Sequence, residues 1–398
     1  MESLFASANE SAPSRAIGAE LELIPFDAVT HRPVRIVPNN GEHSSLEIIR
    51  RIGNRSGWIE TPAGDDPPSW SLPDGSRISF EPGGQIEISS APSESASALI
   101  RDLQCTTQLL SGTFASAGVD LEAVGVDPYN DIKEVALQLH RPRYERMTRY
   151  FESIGPSGIR MMRQTASLQI NIDAGHAPME RWRLLNALAP YVTAIFANSP
   201  RYAGMATPYR SYRAYIWQTL DAGRTGLQAI TPDPVGEYLE FALRAGTMMR
   251  DDAGRYDSFE TLADRGDVSL DDWELHLSTL FPEVRPRHYF ELRSADAVAP
   301  ENLAAPLALV AGLVYDENTS RAASGILAEL DSPSLESAGR EGLANAQIHA
   351  TSNRLIDLAL TGCESLESSY ISAGDIESAA RFFDRYTRQG RSPGDDWS

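Results

Sequence analysis

Four segments far apart in this chain share one pattern, in which polar or charged residues alternate with Leu, Ile or Phe. Residues 165–173 carry it most cleanly. Ser167, Gln169, Asn171 and Asp173 fall on one face, Leu168, Ile170 and Ile172 on the other. Residues 16–26 set Glu20 and Glu22 together against Leu21 and Leu23, and residues 85–89 set Gln85 and Glu87 against Ile86 and Ile88. Residues 287–294 align Tyr289, Glu291 and Arg293. A period of two makes all four strands. An antiparallel sheet with one face in water would read the same way. Gln and Asn are unusual on a solvent face, however, where Thr, Tyr and other β-formers are favoured. Apolar flanks on both sides of Glu20 and Glu22 also favour burial. One antiparallel sheet curved around a polar cavity satisfies all four segments.

Such a cavity would hold Glu20, Glu22, Glu81, Glu87 and Glu291, whose mutual repulsion calls for divalent cations. Mg²⁺ suits, because it binds through few carboxylates plus phosphate and water oxygens. Arg163, Arg213 and Arg293 would suit a triphosphate and an amino-acid carboxylate. Beside Glu81, Pro82-Gly83-Gly84 interrupts any regular ladder: proline lacks the donor and glycine permits positive φ. The turn is either a bulge in a surface strand or a place where something approaches the backbone closely.

The remaining elements follow from local signals. Residues 1–14 read as a frayed, polar start. Residues 45–53 form a short helix, and residues 54–79 are turn-rich. Within them 70–72 and 77–80 make a hairpin about Asp74-Gly75. Ser93 caps a helix over about 94–114 that ends near Gly118, and 119–126 is a strand. A basic, aromatic helix covers 141–151, followed by a Gly/Pro/Ser loop into Met161. Residues 181–198 form an amphipathic helix stopped at Asn198-Ser199-Pro200. The arginine- and aromatic-rich loop behind it holds Arg213, Trp217 and Arg224 and is either a surface ion-pair network or an anion pocket with Trp217 as a wall. His276, Thr279 and Pro282 lie in a helix-to-loop passage.

Composition closes off several function classes. No apolar run is long enough to span a bilayer, and residues 303–314 are interrupted by Pro306. No leader-like start is visible. Two cysteines, Cys105 and Cys363, without a CxxC, exclude a disulfide scaffold or a cysteine zinc site and point to a cytoplasmic setting. A net charge of −20 argues against nucleic acid or an anionic membrane as partner. Of 35 basic residues only Lys133 is lysine, which excludes a P-loop and disfavours Schiff-base chemistry. Phosphate must be held by arginine, backbone amides or metal.

The strings GAELELIPFD, SFEPGGQIEISSAP, MMRQTASLQINID, NSP with YRSYRAYIW and DAGRTG, and HLSTLFPEVRPRHYFELRSAD run in order from Ile17 to Asp296. Together they resemble the motif series of the second, plant and proteobacterial, family of glutamate–cysteine ligases, which includes an ergothioneine-pathway branch. The resemblance implies an α+β fold related to glutamine synthetase and the guanidino kinases, with a curved antiparallel sheet forming a funnel and helices packed outside. A single catalytic domain is expected over 1–389; the residues themselves read as helical from about 297 and as a disordered tail over 390–398. The resemblance implies ATP as co-substrate, two or more Mg²⁺ ions, and a γ-glutamyl phosphate attacked by the amine of L-cysteine. Glu20, Glu22, Glu81, Glu87 and Glu291 would be metal ligands, Glu87 and Arg293 catalytic. Arg163, Arg213, Trp217, Arg224, Gln169 and Asn171 would bind substrate.

The match has departures. Gln164, Thr165 and Ala166 stand where plant members carry a cysteine, so thiol-based control of the plant kind is not supported. FELRSAD leans towards the ergothioneine branch and leaves the amine acceptor open. A γ-glutamyl ligase for another amine, a non-catalytic amino-acid or nucleotide sensor and a guanidino kinase relative are the alternatives. The sequence does not reveal the oligomeric state.

Overall fold

The structure is a computed structural model that describes residues 1–6, 15–38, 44–228, 230–250, 255–330 and 332–397. Nine strands form one antiparallel sheet in the order Val284–Pro286, Tyr289–Asp296, Ser167–Asp173, Ile17–Asp27, Ile86–Ser89, Arg77–Phe80, Asp66–Ser71 and Ile59–Ala63. The ninth, Val119–Glu122, pairs with the far half of Ile17–Asp27. The two ends of that order do not pair, so the sheet stays open.

Alternation divides the sheet into an apolar and a polar face. Leu21, Leu23, Ile86, Ile88, Leu168, Ile170, Ile172 and Leu292 are all buried, each worth about 1.5–3 kcal/mol against exposure. Helices cover that face. Pro178–Ile195 packs on Tyr289–Asp296, and Ala96–Ser116 packs on Ile17–Asp27 and Val119–Glu122. Ala304–Tyr315 is buried at every residue between Ala346–Ser365 and Ala373–Arg385. Across the polar face lie the helices Pro142–Ile154, Pro156–Gln164 and Tyr212–Leu220. These share a second small apolar core of Met147, Phe151, Met161, Met162, Ile216 and Phe281. The cavity lies between this core and the sheet.

Several expectations are corrected. The loop expected before Met161 is the helix Pro156–Gln164. Pro156 takes its first position after Gly155 at φ 140°, where the missing N–H costs nothing. The arginine-rich loop contains a real helix, Tyr212–Leu220, capped by Ser211. The cap of the helix Ala96–Ser116 is Ser95, not Ser93, because the Ser93 backbone is paired with Ile17. A strand, Ile59–Ala63, was missed in the turn-rich stretch. Its partner Asp66–Ser71 carries Pro67 and Pro68, but beyond its pairing with Arg77–Phe80 and beside a bulge, where a missing donor is tolerated. The start is not wholly frayed: Phe5 is buried and meets the Trp182 ring edge-on at 4.9 Å. Residues 7–14 of that expectation lie outside the described residues.

The tail is also corrected over residues 390–397; residue 398 of that expectation lies outside the described residues. Pro393–Asp396 forms a 3₁₀ turn, Gly394 N–H donates to the Ala197 carbonyl at 2.9 Å, and Trp397 Nε1 donates to Asn198 Oδ1 at 3.2 Å. Arg210 pairs with Asp395 at 2.6 Å. Among the described residues no helix is long and apolar enough to cross a membrane.

Candidate active site

The polar face of the sheet lines a cavity of about 210 Å³. Register sets who meets whom. Glu22 sits directly opposite Glu87, and Glu20 lies between Ser89 and Gln169. Glu291 is opposite Asn171 on one side and Arg285 on the other. Glu20, Glu22, Glu81 and Glu87 line it together with Arg143, Arg285 and Arg293.

The Pro-Gly-Gly turn brings in Glu81. A Cβ on Gly83 would lie 2.0 Å from the Arg163 carbonyl oxygen, and Gly84 stands at φ 98°. Gln138 Nε2 donates to the Gly83 carbonyl at 2.7 Å, and Gly83 N–H donates to Gln85 Oε1 at 3.0 Å. The close approach that the glycines anticipate is therefore made by the chain itself.

The carboxylates fall into two electrostatic classes. Burial comes first in raising Glu20 to about 7, with repulsion from Glu291 and Glu87 added. Glu22 is raised by burial although Arg213 opposes it, as do the Ser167 N–H and Oγ, which both donate to Glu22 Oε2. Glu87 is raised by burial and by Glu22, and Glu81 rises well above the usual range through burial and then Glu87, Glu22 and Glu20. Glu291 behaves oppositely. Burial would raise it, but Arg285 and Arg293 hold it down at about 2. Arg285 grips both its oxygens, Nε to Oε2 at 2.5 Å and Nη2 to Oε1 at 3.0 Å, and Arg293 Nη1 lies 3.2 Å from Oε2.

Glu291 thus differs from the other four candidates in being paired with arginine, and Arg287 Nη1 also lies 3.9 Å from its Oε1. The other four carboxylates fit a hard cation by charge and by donor type. Among the described residues no three such side chains converge into a finished cage.

The wall beyond Arg293 is Trp217. The guanidinium carbons of Arg293 and Arg213 lie 5.2 and 5.6 Å from its ring centroid. Trp217 Nε1 and Arg213 Nε are buried donors without a partner among the described residues. A buried orphan donor costs about 1–3 kcal/mol, which an anionic ligand would recover.

The description Glutamate-cysteine ligase family 2 matches residues 16–397 of the chain. The chain belongs to glutamate–cysteine ligase family 2. It is 33% identical to the glutamate–cysteine ligase EgtA of Mycolicibacterium smegmatis, covering 86% of this chain and 82% of that protein. It is 32% identical to the chloroplastic glutamate–cysteine ligase of Nicotiana tabacum, covering 79% of this chain and 62% of the tobacco protein. A crystal structure of glutamate–cysteine ligase from Francisella tularensis in complex with AMP matches with a TM-score of 0.55 at 11% identity, covering 97% of this chain and 84% of that one. The last likeness shows the fold.

Within this family member the structure separates the sequence candidates. Glu20, Glu22, Glu81, Glu87, Gln169, Trp217 and Arg293 line the cavity, and Gln169 Oε1 accepts from Arg293 Nη1. Arg213 stands behind Trp217, its Nη2 donating to the Arg293 carbonyl at 2.7 Å. Asn171 lies beside Glu291 with Oδ1 unpartnered among the described residues. Arg163 is placed off the lining, where burial lowers its pKa against the opposing charge of Glu152 and its Nε has no partner among the described residues. Arg224 is fully buried elsewhere. It bonds Asp221 at 2.7 Å and the carbonyls of Thr279 and Gly246, and it packs on Tyr150, so it ties elements together.

Sequence reasoning missed two arginines. Arg285 was legible, because a hairpin turning at Arg287-His288 puts it opposite Glu291. Arg143 was not: its helix face is chosen by packing, which lets Nη1 and Nη2 hold Ser278 at 2.7 and 2.8 Å.

Proposed function

We propose that the chain is an ATP-dependent ligase joining L-glutamate to L-cysteine through a γ-glutamyl phosphate. Family membership supports the reaction class, and one observation carries it to this site: four buried carboxylates and three arginines line a single cavity. A γ-carboxylate oxygen of glutamate attacks the terminal phosphorus of ATP and ADP departs. The cysteine amine then attacks the acyl phosphate carbon, and phosphate leaves with the C–O electron pair.

Each side chain has a task in this reading. Arg285 and Arg293, held by Glu291, neutralise charge on the transferred phosphoryl group. Trp217 Nε1 offers a donor to the carboxylate of glutamate, and Arg213 adds its positive charge from beside the Trp217 ring. Glu20, Glu22, Glu81 and Glu87 would hold Mg²⁺, which when bound neutralises phosphate oxygens and fixes the nucleotide. No covalent enzyme intermediate is needed, so positioning and charge neutralisation suffice.

A role in glutathione or ergothioneine biosynthesis and a cytoplasmic location belong to the same proposal. The supporting features are the mycobacterial and plant relatives and two unpaired cysteines. Incubation with ATP, Mg²⁺, glutamate and a mixture of cysteine and competing amines, followed by mass spectrometry, tests it. We expect γ-glutamylcysteine and ADP. ADP release that ignores glutamate, or a product carrying a different amine, would overturn the assignment.

A further inference from the structure

Asp296 lies at the end of the Tyr289–Asp296 strand, outside the cavity lining, and is 1% exposed. Strict alternation would turn it away from Glu291 and Arg293. A bulge between Leu292 and Ala295 adds one residue and sets Asp296 opposite Ser167, on the polar face. Gly125 makes room, since a Cβ there would lie 2.4 Å from the Asp296 carboxyl carbon.

The carboxylate is fully engaged. Its Oδ2 accepts from Asn198 N–H and Ser199 Oγ, both at 2.7 Å. Its Oδ1 accepts from Ser211 Oγ at 2.8 Å and lies 3.9 Å from Arg213 Nη1. Both serines pass the contact on to the first turn of the helix Tyr212–Leu220. Ser199 Oγ accepts from Arg213 N–H and Ser211 Oγ from Ala214 N–H, each at 3.1 Å. One buried negative charge thus caps this helix through two hydroxyls and pins both ends of the excursion from Asn198 to Ser211. The helix carries Arg213 and Trp217.

We infer that Asp296 is the positioning residue for the substrate-carboxylate wall, setting Arg213 and Trp217 against Arg293 without touching substrate itself. This rests on the ligase reading above for the identity of the substrate, but not for the geometry.

The test uses Asp296→Asn in the full chain, read in two ways. Hydrogen exchange of residues 212–220 should quicken about tenfold or more while the Ser167–Asp173 strand keeps its protection. The KM for glutamate should rise about tenfold or more with the KM for ATP within about twofold. Ser199→Ala and Ser211→Ala should show the same split more weakly, and they decide the matter if Asp296→Asn does not fold. Unchanged exchange in a folded variant, or equal losses towards both substrates, would overturn the inference. A wild-type protein without glutamate-dependent turnover would sink the ligase reading instead, and the exchange result would still decide whether Asp296 holds the wall.

Discussion

Glu87 and Glu291 are both buried carboxylates on the same sheet face, yet their surroundings predict opposite outcomes on neutralisation. Glu87 faces Glu22 directly and accepts from the hydroxyls of Ser89 at 2.8 Å and Ser79 at 3.2 Å. Opposed like charges destabilise a sheet. Glu87→Gln should therefore hold or raise the melting temperature of the ligand-free protein while lowering kcat about 10²-fold or more. Scanning calorimetry beside steady-state rates checks both halves, and a near-normal rate would remove Glu87 from the metal set. Glu291→Gln should instead cost about 3–5 kcal/mol, because it leaves Arg285 and Arg293 buried without their counter-charge. Urea unfolding measures that difference. The acidity of Glu87 and Glu291 was legible in the sequence. Which of them was already neutralised was not, because Arg285 reaches Glu291 only through the hairpin register.

The Pro82-Gly83-Gly84 turn sets where Glu81 enters the cavity, and its tolerance is decided by a neighbour distant in sequence. Gly83→Ala would drive a methyl into the Arg163 carbonyl, displacing either the turn or the end of the helix Pro156–Gln164. We expect a loss of about 1–3 kcal/mol, read by thermal unfolding, together with a fall in turnover as Glu81 shifts. The alternating strands were legible because period two survives burial. The helix Pro156–Gln164 and the strand Ile59–Ala63 were not. Pro156 and Pro67-Pro68 read locally as breakers, and only a helix start, or a stretch of strand without a ladder partner, makes them acceptable.

For the molecule as a whole, the acidic cluster makes stability depend on pH. Glu20 moves from its ordinary 4.5 to about 7 on folding, and Glu22, Glu81 and Glu87 move in the same direction. A raised carboxyl binds its proton more tightly in the folded state, so the unfolded chain binds fewer protons across this window. Stability should therefore fall as pH rises from about 4.5 towards 7. Differential scanning fluorimetry of the ligand-free protein should show the melting temperature dropping over that range. Mg²⁺ with ATP should reverse the slope and release protons on binding, and the two together should stabilise more than either alone. A flat pH profile would mean that the four carboxylates do not share one low-dielectric space.

Sequence alone determined that several polar-faced strands exist, which acids share a face, and that phosphate must be met by arginine or metal, since these follow from periodicity and composition. Tertiary structure decided which charges are paired. It turned Asp296 onto the polar face through a bulge, sent Arg224 and Arg163 away from the cavity, and brought Arg143 and Arg285 to it. The reason is physical: alternation fixes the direction of a side chain along one strand, whereas pairing depends on register and on helix faces set by contacts between distant segments.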